Sequence, residues 1–134
     1  MWTKSADAAC RGACASKSRL LLVFAPSVRH SDYKKQMRAI MGEATGIADR
    51  DLVIGELLEK GMSRIGDVPI DPVSAALMRG NFCIDSGDFV VVLIGKDGTE
   101  RMWSEWPVPA HELFSLIDTM PLRQRELEER SAGG

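Results

Sequence analysis

Two short runs of consecutive apolar residues constrain this chain more than anything else in it: Leu20 to Pro26 and Phe89 to Ile94. Neither alternates polar with apolar, so neither reads as a strand with one wet face. Both read as strands buried on two sides. A sheet whose inner strands are covered on both faces needs helices above and below it, which is α/β architecture. Both runs are far shorter than the ~18–20 residues that span a bilayer, so no membrane span is expected.

The segments between the runs follow from spacing. The strand starting at Arg19 ends at Phe24, because Ala25-Pro26-Ser27 cannot continue a central ladder. A helix is predicted from Ser31 to Thr45. Tyr33, Met37, Ile40, Met41 and Ala44 build its apolar face, Ser31 its N-cap and Gly46 its stop. Asp51 to Leu57 reads as a second strand. Strand, helix, strand with short connections implies a right-handed crossover and a parallel pair.

Residues 59–71 read as a loop, and Asp71-Pro72 opens a short helix ending near Arg79 and Gly80. Residues 83–88 form a further loop. Phe89 to Ile94, the turn Gly95-Lys96-Asp97-Gly98 and Thr99 to Trp103 make a β-hairpin. A last helix runs from Ala110 to Met120, and Leu122 to Arg130 forms a second short helix or a frayed tail. Residues 1–18 read as a loose arm, 19–130 as one domain and 131–134 as a tail. The order β-α-β, α, β-β-α, with a mixed central sheet flanked by helices, is that of a thioredoxin-like sandwich.

Thioredoxins place their reactive pair where the first strand meets the first helix, since a helix N-terminus lowers a thiol pKa. Here that junction is Ala25-Pro26-Ser27-Val28-Arg29-His30-Ser31-Asp32, without a cysteine. Thiol–disulfide exchange at this position is chemically impossible. Arg29 and His30, close to helix amides, are candidates for a small anion. The plain alternative is a capped helix start with solvated side chains.

The three cysteines are Cys10, Cys14 and Cys83. Cys83 and the Cys10/Cys14 pair are the redox candidates. An odd count argues against a full disulfide framework. A structural zinc needs about four ligands, and only His30 and His111 supplement the thiols, so no metal or cofactor is expected. Trp103 and Trp106 flank Ser104-Glu105; exposed, they suit a partner surface, but burial of at least one against the last helix is the expectation.

Seventeen Lys and Arg face nineteen Asp and Glu, a net charge of −2, which offers no support for nucleic-acid binding. Met1 to Arg19 has no continuous apolar stretch of the signal-peptide kind, which makes the cytoplasm the expectation for the chain as given.

Four segments carry a family resemblance. They are Leu22-Val23-Phe24-Ala25-Pro26-Ser27, Asp49-Arg50-Asp51-Leu52-Val53, Leu93-Ile94-Gly95-Lys96-Asp97-Gly98 and Ile117-Asp118-Thr119-Met120-Pro121-Leu122-Arg123-Gln124. Together they resemble the P-DUDES family, a domain of unknown function in many bacterial proteins and in vertebrate sushi-repeat and equarin-type proteins. The resemblance covers about residues 19–127. It implies a thioredoxin-like fold nearest to peroxiredoxins, and it implies relatives that are often exported. It transfers no catalytic residue. Its motif positions Arg50, Asp51, Lys96, Asp97, Asp118 and Arg123 either form a polar binding site or hold the fold together. Two functions follow: a non-catalytic module that binds an unidentified protein partner, or a weak peroxiredoxin- or thioredoxin-like oxidoreductase using Cys83 or Cys10/Cys14.

Overall fold

The structure is a computed structural model and describes residues 18–133. Cys10 and Cys14 lie outside the described residues. The elements are β1 (Arg19–Ala25), α1 (Ser31–Ile40), α2 (Ala44–Asp49), β2 (Leu52–Leu58), β3 (Ser63–Ile65), β4 (Val68–Ile70), α3 (Pro72–Asn81), β5 (Val90–Ile94), β6 (Glu100–Ser104), α4 (Ala110–Asp118) and α5 (Pro121–Gly133). The six strands form one mixed sheet in the order β4-β3-β2-β1-β5-β6.

β1 lies at the centre, and all seven of its residues are buried. It pairs in parallel with β2, from Arg19 opposite Leu52 to Ala25 opposite Leu58. It pairs antiparallel with β5. Successive side chains of a strand point to opposite faces, so β1 feeds two cores. Leu21, Val23 and Ala25 join Val91, Leu93, Tyr33, Leu113 and Ile117 beneath α1 and α4. Leu20, Leu22 and Phe24 join Val90, Val92, Ala75 and Phe82 beneath α3.

The expected helix from Ser31 to Thr45 is two helices. Met41 is extended, Gly42 turns the chain at φ 87°, and α2 starts again at Ala44. Only glycine takes that φ without strain. Gly46, expected to stop the first helix, lies inside α2, where a Cβ would sit 2.6 Å from the Phe114 ring. The N-cap of α1 is His30, not Ser31: its Nδ1 accepts from the Asp32 N–H at 3.3 Å.

The expected loop 59–71 contains a hairpin. Ile65 pairs with Val68 across Gly66-Asp67, with Gly66 at φ 60°. Asp51 was expected to open β2 but is left-handed at φ 51°, and the strand begins at Leu52. Asp71 caps α3, accepting from the Ser74 N–H, with Pro72 in the first turn as its type predicts. Leu122 to Arg130 lies wholly within α5.

Trp103 and Trp106 are each exposed, at 40% and 71%, which overturns the expectation that α4 buries one of them. Trp103 pairs with Val92, so it stands on the α3 face, whereas α4 covers the other.

Candidate functional site

The turn after β1 is closed by its own residues. The Arg29 N–H donates to Ser27 Oγ at 3.2 Å, and the His30 imidazole caps α1 while stacking on Phe89 at 5.9 Å between centroids. Arg29 is exposed. The Ser27 hydroxyl and the His30 imidazole are thus taken up within the turn, while the Arg29 side chain faces outward.

Cys83 is the one cysteine among the described residues and is an exposed free thiol. Phe82 takes the inward position, packing on Phe24 at 5.4 Å, and Cys83 then turns outward at φ 58°.

The motif residues gather at the opposite end of the sheet, where β1 and β2 begin. The Arg50 guanidinium forks onto Asp118, Nε to Oδ1 at 3.1 Å and Nη2 to Oδ2 at 2.9 Å. Its Nη1 donates to the Gly46 carbonyl at 3.0 Å, and it lies 4.2 Å over the Phe114 ring. Arg123, only 2% exposed, donates through Nε to Asp118 at 3.1 Å and through Nη2 to Asp49 at 2.6 Å. Lys96 Nζ bridges Asp51 and Glu126, each at 2.7 Å. Arg130 reaches Asp49 Oδ1 at 2.7 Å.

Arg19, fully buried, completes the cluster. Its Nη1 donates to the Arg50 carbonyl at 2.7 Å and its Nη2 to Glu126 at 3.2 Å. Asp97 stays outside this network, accepting instead from Thr99 and Arg101.

These bonds set the carboxyl titrations. Hydrogen bonds from Arg123 and Arg130 hold Asp49 below its ordinary value. Burial pushes Asp118 up, but the bonds from Arg50 and Arg123 outweigh it, and the net shift is down. Glu126 is likewise raised by burial and lowered further by Lys96 and Arg19.

Thus Arg50, Asp51, Lys96, Asp118 and Arg123 come together, while Arg29, His30 and Cys83 are not part of that group. Ligands of α/β folds usually sit at the carboxyl ends of the strands, and this cluster is at the amino ends of the parallel pair. Its bonds tie α2, α4 and α5 to the sheet. Among the described residues, no three His, Cys, Asp or Glu side chains converge to hold a metal. No helix among them is long and apolar enough to cross a membrane.

Sequence reasoning missed a second buried polar group. Tyr33 of α1 donates to Glu56 of β2, and Arg64 of β3 donates to the other carboxylate oxygen at 3.0 Å. Burial, then the Glu56 contact, raises the Tyr33 phenol well above its ordinary value. It also missed Gln36, whose amide makes a reciprocal pair with the Val108 backbone at 2.7 and 3.0 Å and fixes the chain entering α4.

The Plasmodium yoelii thioredoxin peroxidase I shares the fold, with a TM-score of 0.58 over 81% of this chain and 76% of that one, at 16% identity. Similar vertebrate proteins include the Sushi repeat-containing protein SRPX2 of Xenopus laevis, 31% identical over 116 residues. Sushi repeat-containing protein SRPX of Homo sapiens is 32% identical over 114 residues. These matches take in 84% and 83% of this chain but only a quarter, 25%, of each relative. Coiled-coil domain-containing protein 80 of Danio rerio is 28% identical over 127 residues, 15% of its length. A family described as "Domain of unknown function (DUF4174)" matches residues 13–126. With that match spanning most of its length, the chain belongs to the DUF4174 family, a domain of unknown function that vertebrate sushi-repeat proteins share.

Proposed function

We propose that this chain is a non-catalytic interaction module that keeps a thioredoxin-like shape for binding a protein partner, and that it corresponds to the P-DUDES domains its motifs resemble. The observation that carries this reading is the turn after β1. In a thioredoxin-like fold that turn holds the nucleophilic sulfur, and here it holds Ser27, Arg29 and a capping His30. The exposed Trp103 and Trp106 support a binding surface at β6, an edge strand of the sheet. Tryptophans are over-represented among residues that carry binding energy, and an open edge accepts an extended segment.

The test has two arms. With hydrogen peroxide and a dithiol reductant, the protein consumes peroxide no faster than a protein-free blank, and Cys83→Ser changes nothing. Peptides selected from a displayed library bind the native chain and lose about tenfold or more in affinity for the Trp103→Ala/Trp106→Ala double variant. Cys83-dependent peroxide turnover would overturn the reading in favour of an oxidoreductase.

A further inference from the structure

β6 is irregular at one point. Ile94 pairs with Glu100, but Leu93 pairs with Met102, so Arg101 is an extra residue bulged out of the ladder. Bulges near sheet edges re-aim a side chain. Arg101 turns back over the β5–β6 turn, where its Nη2 meets Asp97 Oδ2 and its Nε lies 3.3 Å from the Cβ position of Gly95. Asp97 is itself fixed by the N–H and hydroxyl of Thr99 at 3.0 and 2.7 Å. The bulge thereby walls a cavity of about 290 Å³, whose other sides include Arg19, Lys96, Met120 and Leu122.

Three features give this cavity a sign. Arg19 is fully buried, and among the described residues its Nε–H has no acceptor, although both of its Nη groups do. A buried charged donor left unpaired is costly and is rarely tolerated without a partner. The network around it is also unbalanced: Arg19, Arg50, Lys96, Arg123 and Arg130 face only Asp49, Asp51, Asp118 and Glu126. Finally, the first turn of the 13-residue α5 lines the cavity through Pro121 and Leu122, adding the partial positive charge of a helix N-terminus. The Asp97 carboxylate, paired with Arg101, also lines the cavity, and the remaining wall of Gly95, Met120, Pro121 and Leu122 carries no charge.

We propose that this cavity binds a small organic anion, a carboxylate or phosphate group on a short apolar body. The charge sits among Lys96, Arg101 and the Arg19 wall, and the body lies against Met120 and Leu122. Arg19 shares strand parity with Leu21 and Met120 packs in the same core, so the cavity opens on the α4 side of the sheet. Trp103 stands on the other side, and the two sites fail or succeed separately.

The experiment titrates the ¹⁵N-labelled full chain with hexanoate, and separately with inorganic phosphate, at ionic strength matched with chloride. Saturable shifts confined to residues 95–101 and 120–122 are the expected result. Saturation by hexanoate but not phosphate assigns a carboxylate, and the reverse assigns a phosphate ester. Arg101→Gln weakens the saturating probe by about tenfold or more, the loss of a charge-assisted pair. Leu122→Trp, a partly exposed position, blocks hexanoate by filling the apolar side while leaving the folded spectrum intact. Absence of saturation with both probes, or an affinity unchanged in Arg101→Gln, overturns the proposal.

Discussion

Arg123 shows what the motif residues do. Its guanidinium is nearly inaccessible, yet each of its three nitrogens finds an acceptor: Asp118 for Nε, the Asp49 carbonyl for Nη1 and the Asp49 carboxylate for Nη2. A lysine supplies one compact charge and cannot reproduce that fork. Removing one partner of a buried pair costs about 3–5 kcal/mol. Asp49 and Asp118 are over a third exposed and keep Arg130 and Arg50, which lowers the expected loss for Arg123→Met to roughly 2 kcal/mol. Urea denaturation is the measurement, with Arg123→Lys recovering less than half of the loss. A variant as stable as the native chain would remove the structural reading of this cluster. The motif positions were legible from the sequence as residues that either bind or hold the fold, but which of them pair with which was not. Arg19 was not legible. It stands at the head of an apolar strand, and one sequence does not say that such an arginine points inward.

α5 is held to the molecule by charge more than by apolar surface. Leu122 is partly exposed, while Arg123, Glu126 and Arg130 reach back to Asp49, Arg19 and Lys96. The carboxyls of Asp49, Asp118 and Glu126 all titrate lower in the folded chain than unfolded. Protons therefore bind preferentially to the unfolded state. The stabilisation is complete above the unfolded values, about 3.9 for Asp and 4.3 for Glu, and is lost as pH falls through the lower folded values. The urea midpoint is expected to stay level from neutral pH to about pH 5 and to fall below that. Glu126→Gln starts lower at neutral pH and loses less on acidification; two parallel curves would show that Glu126 contributes nothing to the acid limb. The extent of this helix could not be read from the mixed charges of Leu122 to Arg130, which suit a helix and a frayed tail equally. The β3–β4 hairpin was hidden for a different reason. Strands of three residues give too little alternation to register, so Gly66 and Pro69 read only as loop punctuation.

Across the whole molecule, order is concentrated on two strands. The α/β class and the parallel β1–β2 pair followed from the apolar runs, since a strand without a polar face has few places to go other than a sheet's centre. The same burial predicts a gradient of local stability. Opening β1 exposes both cores at once, because Leu20 and Leu22 face α3 while Leu21 and Val23 face α1 and α4. The β3–β4 hairpin makes no such double commitment: Val68 and Pro69 are exposed, and β3 bonds to β2 over only two residue pairs, Gly55 with Ile65 and Glu56 with Arg64. Cooperative units with few buried contacts open at lower free energy than the global transition. In native-state hydrogen exchange, the amides of residues 20–24 and 90–94 are expected to exchange only through global unfolding, with a denaturant slope equal to the equilibrium one. Those of residues 63–70, and of α5 once pH approaches 4, exchange through smaller openings with shallower slopes. Phe24→Ala, which removes a fully buried ring from beneath α3 at a cost of about 3–5 kcal/mol, lowers the protection of residues 20–24 and 90–94 by its full effect. It lowers the protection of residues 63–70 by a smaller amount, because the hairpin joins that core only through the partly buried Ile65 and Ile70. If the hairpin amides fell in step with β1, the sheet would open as one unit, and the gradient argued from burial would be wrong.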